Sequence, residues 1–305
     1  MIDLAGPIVG FKESEYLEAN PDVRLAIERS NSWTGWQHFI QFGFRENRPG
    51  VPLEVRRVVQ QIRGYDSTTA VPPTHLRQRV HGAADQASFD NLGKILSGNL
   101  FDEIKGLPKL SVDANVLDFG CGCGRVIKPL HELCAKGKVD DGRFDWYGSD
   151  IDPEAIGWCQ RFLHPIGTFV LNAPEPPLPF KNGFFHFLYS ISIFTHLPED
   201  MQLVWLDELR RVTRPNGFLV LSTHGEHLLK APPEDKETLQ TDGFFYRVGK
   251  GTPGLPSFYH TAFHTHEYIQ KRWSKFFAVK KIVTRGIANN QDLVLCQRVS
   301  KRNRV

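Results

Sequence analysis

Three glycines at alternate positions, Gly120, Gly122 and Gly124, follow the apolar run Val116-Leu-Asp-Phe119 and precede Arg125. Residues without side chains let a ligand lie against the backbone, and a buried parallel strand that turns tightly into a helix supplies that geometry. An ordinary strand-to-helix turn has the same composition, so the glycines alone leave both readings open. Further on, Gly148-Ser-Asp150-Ile-Asp-Pro153 puts a carboxylate at the tip of a second predicted strand. There it can accept both hydroxyls of a ribose while the glycine turn covers the rest of a nucleoside. The turn reads Gly-x-Gly-x-Gly, not the Gly-x-Gly-x-x-Gly of a pyrophosphate loop, and no Lys-Ser or Lys-Thr follows it as in a P-loop. The expected ligand is a nucleoside without a diphosphate.

Histidines supply the candidate acid–base chemistry. His196 follows Phe194-Thr195 just beyond a predicted fourth strand, and a free imidazole pKa near ~6.5 suits a general base at neutral pH. A histidine that only shapes the loop is the other reading. Tyr259-His260 and Phe263-His-Thr-His266-Glu-Tyr268 could stack on and hydrogen-bond a sugar or ring. His260, His264 and His266 are joined by one carboxylate, Glu267, and no metal is assigned to them. Arg77, Arg79 and His81 alternate as on a solvated strand or loop edge; a clasp over an anion or carboxylate is the sharper reading, with Arg79 and His81 as its residues. Asp152 before Pro153 reads as a helix N-cap. Gln291-Asp292 could reach the pocket or serve a turn.

These groups need a parallel sheet to bring them together. From Asn115 the pattern alternates: strand 115–119, helix 124–135, strand 143–149, helix 153–163, strands 167–171 and 185–191, helix 199–212, strand 217–223. A polar insertion at 224–258 precedes a helix at 265–275 and two β-rich runs, 276–283 and 292–297. Before the sheet, residues 1–50 form a helical module with a break at Asn20-Pro21-Asp22, followed by a helix from Leu53 to Ile62 and another from Ser88 to Lys105. The expected domains are therefore 1–50, a helical cap over 51–110, and the main domain over 111–305 with a lid at about 224–268.

A formal charge of +3 gives no general reason to expect nucleic acid. Five cysteines, an odd number in mostly apolar segments, fit reduced thiols. With neither a signal-peptide layout nor an apolar run long enough to span a membrane, a cytoplasmic location is expected.

Beyond these separate signals, the order Val-Leu-Asp-Phe-Gly-Cys-Gly-Cys-Gly-Arg125, Gly148-Ser-Asp150, Leu178-Pro-Phe-Lys-Asn-Gly183, Ser190-Ile-Ser-Ile-Phe-Thr-His-Leu197 and Glu208-Leu-Arg-Arg-Val-Thr-Arg-Pro-Asn-Gly217 resembles class I S-adenosylmethionine-dependent methyltransferases. Arg79-Val-His-Gly82 and Phe194-Thr-His-Leu197 narrow this to a bacterial subgroup associated with glycan and natural-product genes. Tyr16-Leu-Glu-Ala-Asn-Pro-Asp-Val23 and His38–Arg48 resemble a module found beside bacterial glycosyltransferases. The resemblance implies an α/β Rossmann-like sheet of seven strands with helices on both faces. It implies that Gly120, Gly122 and Gly124 line the methionine and ribose of the cofactor and that Asp118 faces its amino group. Asp150 would hold the ribose and Ile151 one adenine face, with Asn172 and Ala173 at the adenine edge. Ser190 and Ile191 would lie under the sulfonium. Two departures stand out: Phe185-His186 where the family often has Phe-Asp, and Pro215-Asn-Gly217 where it has Pro-Gly-Gly.

The function implied is S-adenosylmethionine-dependent methylation of a small molecule or glycan, at a hydroxyl, with S-adenosylhomocysteine as product and His196 as base. Tyr259, His260 and His264 are further candidates for the acceptor side. N-methylation of an amino sugar is the close alternative. A nucleic-acid methyltransferase lacks support, because the Asn/Asp-Pro-Pro-aromatic motif is replaced by Ser190-Ile-Ser-Ile193. A catalytically silent subunit that self-associates or binds a glycan enzyme through residues 1–50 is the remaining alternative.

Overall fold

The helices before the sheet are set by their breakers and caps. In the computed structural model, which describes residues 7, 9–30, 34–44, 46–63, 71–107, 114–137, 144–163, 166–230, 232–250 and 254–299, packing divides the chain into residues 1–72 with 157–169, and residues 73–156 with 170–305. The first part contains α1 (Glu13–Ala19), α2 (Pro21–Ser30), α3 (Gly35–His38), which runs on as a π turn over Phe39–Gly43, and α4 (Leu53–Arg63). Asn20 divides α1 from α2, and its side-chain amide donates to the carbonyls of Tyr16 (2.7 Å) and Pro49 (2.9 Å). Thr34 and Gln37 form a reciprocal capping box at α3. Tyr16, Val23, Trp36, Phe39 and Phe44 are buried together with Val55 and Val59, so this small core takes in α4 as well as the first fifty residues.

The rest of the chain opens with α5 (Thr74–His81) and α6 (Gln86–Gly106), then β1 (Asn115–Phe119), α7 (Ile127–Gly137), β2 (Asp145–Asp150), α8 (Pro153–Phe162), β3 (Gly167–Leu171), β4 (Phe185–Ser190), α9 (Glu199–Val212) and β5 (Thr213–Thr223). It ends with α10 (Pro233–Asp242), β6 (Phe244–Arg247), β7 (Thr261–His264), α11 (His266–Trp273), β8 (Ala278–Ile287) and β9 (Gln291–Gln297). Seven strands form one sheet in the order β3-β2-β1-β4-β5-β9-β8. Strand β1 lies parallel to β2 and β4, β4 parallel to β5, and β9 runs antiparallel between β5 and β8. This is the expected Rossmann-like sheet flanked by helices. Leu117, Leu188, Leu219 and Val294 of the sheet are buried with Trp205 and Leu209 of α9 and Ile269 and Trp273 of α11.

Local chemistry explains where the elements depart from expectation. Residues 74–81 are a helix, not a strand or loop edge: the chain turns in at Pro73 and stops at Gly82, whose φ of 75° is the left-handed C-cap conformation. Start and stop signals outweigh a three-residue alternation of basic side chains. The insertion is not merely polar loop, since it holds α10 and the first strand of a second, two-stranded sheet, β6 paired with β7. At the unusual Phe185-His186, His186 Nδ1 accepts the Asn115 N–H at 3.1 Å and ties the start of β1 to β4. Asn216 has φ 65°, so the asparagine of Pro215-Asn-Gly217 does adopt the left-handed backbone.

One buried ion pair pins the segment before β4 to α9. Glu208, 6 % exposed, accepts from the Leu178 N–H (2.7 Å) and from two nitrogens of Arg211 (2.7 Å each). Glu208→Ala strands both donors and is expected to destabilise the fold by ~3 kcal/mol, measured by urea unfolding; a loss near zero would show that water replaces the carboxylate.

Candidate functional site

The site forms where the parallel strands end. At the tip of β1 the chain reverses through Gly120 (φ 81°), Gly122 (φ 52°) and Gly124 (φ 82°), a backbone that side chains oppose. The N–H groups of Gly120 and Cys121 both donate to the Ser149 carbonyl, at 2.8 and 3.0 Å. Asp150, at the tip of β2, accepts the Gly122 N–H on Oδ2 (2.7 Å) and the Asp152 N–H on Oδ1 (2.9 Å). Burial raises the Asp150 pKa, and these two backbone donors oppose the rise. Asp152 itself caps α8 by accepting from the Glu154 (2.9 Å) and Ala155 (3.3 Å) amides.

Two pockets open here. The first is lined by Gly120, Asp150, Ile151, Asn172, Trp205 and Tyr259, among others. Asn172 is held by its own amide, which donates to the Ala173 carbonyl at 2.8 Å, leaving its buried Oδ1 without a hydrogen bond. The second is lined by Arg79, His81, Arg125, His196, Tyr259 and Gln291, with others. Tyr259 faces both.

His196 is oriented from two sides. Its Nδ1 lies 2.5 Å from the His260 carbonyl oxygen, and its ring stacks on Tyr259 with centroids 4.1 Å apart and planes 20° apart. A carbonyl can only accept, so Nδ1 carries the proton and Nε2 keeps its lone pair. Burial lowers the pKa of His196, which favours this neutral form at pH 7.

Asp118 is a different kind of carboxyl. It is 2 % exposed on β1, its Oδ2 has no hydrogen bond, and it pairs in register with Tyr189 of β4. Burial pushes its pKa up to about 8; the Tyr189 hydroxyl pulls it down, and the Asp150 charge pushes it further up.

The sequence-picked residues therefore fall into groups. Gly120, Asp150, Ile151, Asn172 and Tyr259 share the first pocket; Arg79, His81, His196 and Tyr259 share the second. Gly122 and Gly124 shape the turn behind them. Ser190 and Ile191 lie too deep to line either pocket: Ser190 is fully buried and donates to the Phe119 carbonyl (2.9 Å), while the next two residues, Ser192 and Ile193, reach the cavities. Ala173 gives its place to Pro174. His264 is wholly buried against Gln202 Oε1 (2.9 Å), and burial drops its pKa to about 3, which makes it a core residue rather than an acceptor contact. His260 contributes its carbonyl rather than its ring. Arg79 is engaged by Asp152 (2.9 Å) and Glu154 (2.5 Å) instead of standing open. Gln291 lines the second pocket and donates to Ser192 Oγ (2.8 Å), whereas Asp292 is buried and bonded to His266 and the Arg285 N–H. Arg125 and Trp205 went unnoticed as pocket residues. Arg125 was visible as the first residue after the glycines; Trp205 sits mid-helix, where its face could not be read. No group of His, Cys, Asp and Glu suited to a metal occurs among the described residues, and no described helix is long and apolar enough to cross a membrane.

Residues 116–217, about a third of the chain, match the family described as "Methyltransferase domain". The segment is similar to that family, and the match supports an enzyme of methyl transfer. Among solved structures, the chain is similar to an S-adenosylmethionine-dependent methyltransferase from Aquifex aeolicus (15 % identity, 75 % of this chain and all of that one, TM-score 0.48). It is likewise similar to those from Methanosarcina mazei (22 %, 63 % and 96 %, 0.44) and Mesorhizobium loti (14 %, 66 % and 98 %, 0.45).

The segment carries groups that would suit the S-adenosylmethionine expected from the sequence: glycines whose Cβ would fill the cradle, a carboxylate held at a strand tip, and two buried oxygens, Asn172 Oδ1 and Asp118 Oδ2, without hydrogen bonds. A Cβ on Gly120 would strike the Ile193 side chain, and one on Gly122 would lie 2.6 Å from Val80 Cγ2. Gly120→Ala is expected to cost ~2 kcal/mol through its left-handed backbone and to weaken S-adenosylhomocysteine at least ten-fold in calorimetry. Unchanged affinity would remove the glycine turn from the site.

Proposed function

We propose that the protein methylates a hydroxyl of a small-molecule or glycan acceptor, with His196 as the base. The observation that carries this reading is the orientation of His196: its Nδ1 proton is committed to the His260 carbonyl, so the Nε2 lone pair is the part left for the second pocket. Nucleoside-type groups, Gly120, Asp150, Ile151 and Asn172, line the adjoining pocket, and Tyr259 belongs to both.

Bound S-adenosylmethionine supplies a methyl group already activated by its sulfonium. What remains for the protein is to bind, align, exclude water and take a proton. Asp150, fixed by two backbone donors, accepts the ribose hydroxyls. Ile151 packs on one face of the adenine, and Asn172 Oδ1 accepts from its edge. Asp118 takes the ammonium of the methionine part. Tyr259 separates the nucleoside from the acceptor and holds the His196 ring flat against its own. His196 Nε2 removes the acceptor's proton as the hydroxyl attacks. Buried aromatic groups around it, with His224 pushed down to about 4 chiefly by burial, keep the surroundings neutral. The separate core around Trp36 and Phe39 supports an accessory role for residues 1–50 together with α4.

His196→Ala is expected to lower kcat by ~10²-fold or more and to leave S-adenosylhomocysteine affinity within two-fold. Full turnover in the variant would assign His196 to loop structure alone. Asp118 gives a pH-linked test. Burial pushes its pKa up to about 8, which favours the protonated form at pH 7 in the free protein, and an arriving ammonium favours the ionised form, so its pKa falls on binding. Binding of S-adenosylhomocysteine at pH 7 should release close to one proton, read from calorimetric enthalpies in buffers of different ionisation heat. Asp118→Asn should abolish the release; equal enthalpies across buffers in the parent protein would sink this assignment.

A further inference from the structure

The second pocket carries an unbalanced charge. Two arginines and two histidines line it, and none of its lining residues is Asp or Glu. Arg79 is already paired with Asp152 and Glu154. Arg125 is not: among the described residues it makes no hydrogen bond or ion pair, and its Nε is enclosed without a partner. The groups close enough to act on its charge are Cys123, Asp118 and Tyr259. Asp118 is pushed up to about 8 and Tyr259 upward from its usual range, both chiefly by burial, which disfavours either as a counter-charge to the guanidinium in the free protein at neutral pH. His81, from the end of α5, feels the Arg125 charge, and its Nδ1 is also buried without a partner, while Nε2 meets Ser88 Oγ at 2.8 Å.

A half-buried guanidinium without an anion is costly, since arginine stays charged at any physiological pH. The cofactor does not relieve it overall: sulfonium and ammonium bring two positive charges, which its one carboxylate and the Asp118 carboxylate ionised on binding only match, so the guanidinium stays unbalanced. An acceptor carrying an anion would. It would lie against Arg125, in a cavity whose walls exclude part of the water and so strengthen the attraction. The planar fork of arginine suits a carboxylate or phosphate by paired hydrogen bonds.

We propose that the methyl acceptor bears an anionic group, a carboxylate or a phosphate, held by Arg125 beside His81, while its hydroxyl reaches His196. This deepens the methyltransferase reading above and rests on it. Arg125 is the specificity-determining residue: neutral analogues of the acceptor lack the group that the pocket is built to discharge.

The test uses the full chain saturated with S-adenosylhomocysteine, titrated calorimetrically with sodium phosphate, with glucuronate and with neutral glucose. The expected result is measurable binding of phosphate or glucuronate and none of glucose; which anion binds separates the phosphate from the carboxylate. Arg125→Gln should weaken that anion at least ten-fold and Arg125→Lys by less, with S-adenosylhomocysteine affinity within two-fold in both. Absence of anion binding in the parent protein, or binding unchanged in Arg125→Gln, overturns the proposal. So does a loss of S-adenosylhomocysteine affinity in Arg125→Gln with 5′-methylthioadenosine affinity intact, because the latter lacks the amino-acid tail and Arg125 would then hold the cofactor's own carboxylate. If the parent protein fails to bind S-adenosylhomocysteine, the cofactor reading itself fails, and the anion titration on the free protein still decides the role of Arg125.

Discussion

The hydrogen bond from the Gly122 amide to the Asp150 carboxylate, at 2.7 Å, holds the site together. It joins the turn after β1 to the tip of β2, so two segments far apart in the chain become one surface. The Gly120 and Cys121 amides on the Ser149 carbonyl reinforce the same joint. A turn made of residues with positive φ has little intrinsic stability. It persists because a partly buried carboxylate needs backbone donors and the turn needs acceptors, each meeting the other's requirement. The arrangement leaves Asp150 with lone pairs to spare, which the proposed ribose contact would use.

A contrast between carboxyls runs through the domain. Asp150 receives two backbone donors, which oppose the upward push of burial on its pKa. Asp118, one strand away and buried, has a free Oδ2 and a pKa pushed up to about 8. Asp292 is fully buried but is met by His266 (2.8 Å) and the Arg285 amide (2.8 Å). The same side chain thus meets backbone donors at one position, burial without a donor on Oδ2 at another, and a histidine with a backbone amide at the third, and the donors nearby set its chemistry. The histidines divide likewise. His264 is wholly buried and held by Gln202, whereas His196 is oriented through one nitrogen with the other left for chemistry.

Much of the fold was readable because buried parallel strands are near-continuous apolar runs and their helices carry a clear period. Val116–Phe119, Phe185–Tyr189 and Glu199–Val212 show this, and their bounds hold to within a few residues. The segment at 74–81 misled because a helix of eight residues with one buried position, Leu76, has almost no apolar period to read. α10 has the same weakness, with Leu239 alone buried. Ser190 and Ile191 were placed near the ligand by motif, yet the chain turns upward only at Ser192, with φ 61° and its N–H on Ser222 Oγ (2.7 Å), and that delays the pocket by two residues.

Residue types and their order thus determined the resemblance to methyltransferases: glycines that tolerate positive φ, a carboxylate at the second strand tip, and a histidine past the fourth strand. These are local requirements, each met within one strand and its following turn. The tertiary structure decided what no local pattern holds. It set the free nitrogen of His196 through a carbonyl sixty-four residues away, brought Tyr259 between two pockets, and left Arg125 without an anion. Each of these depends on long-range packing by the segment after β5 and by α5, whose short, mostly polar helices carry too little hydrophobic period to announce where they fold back.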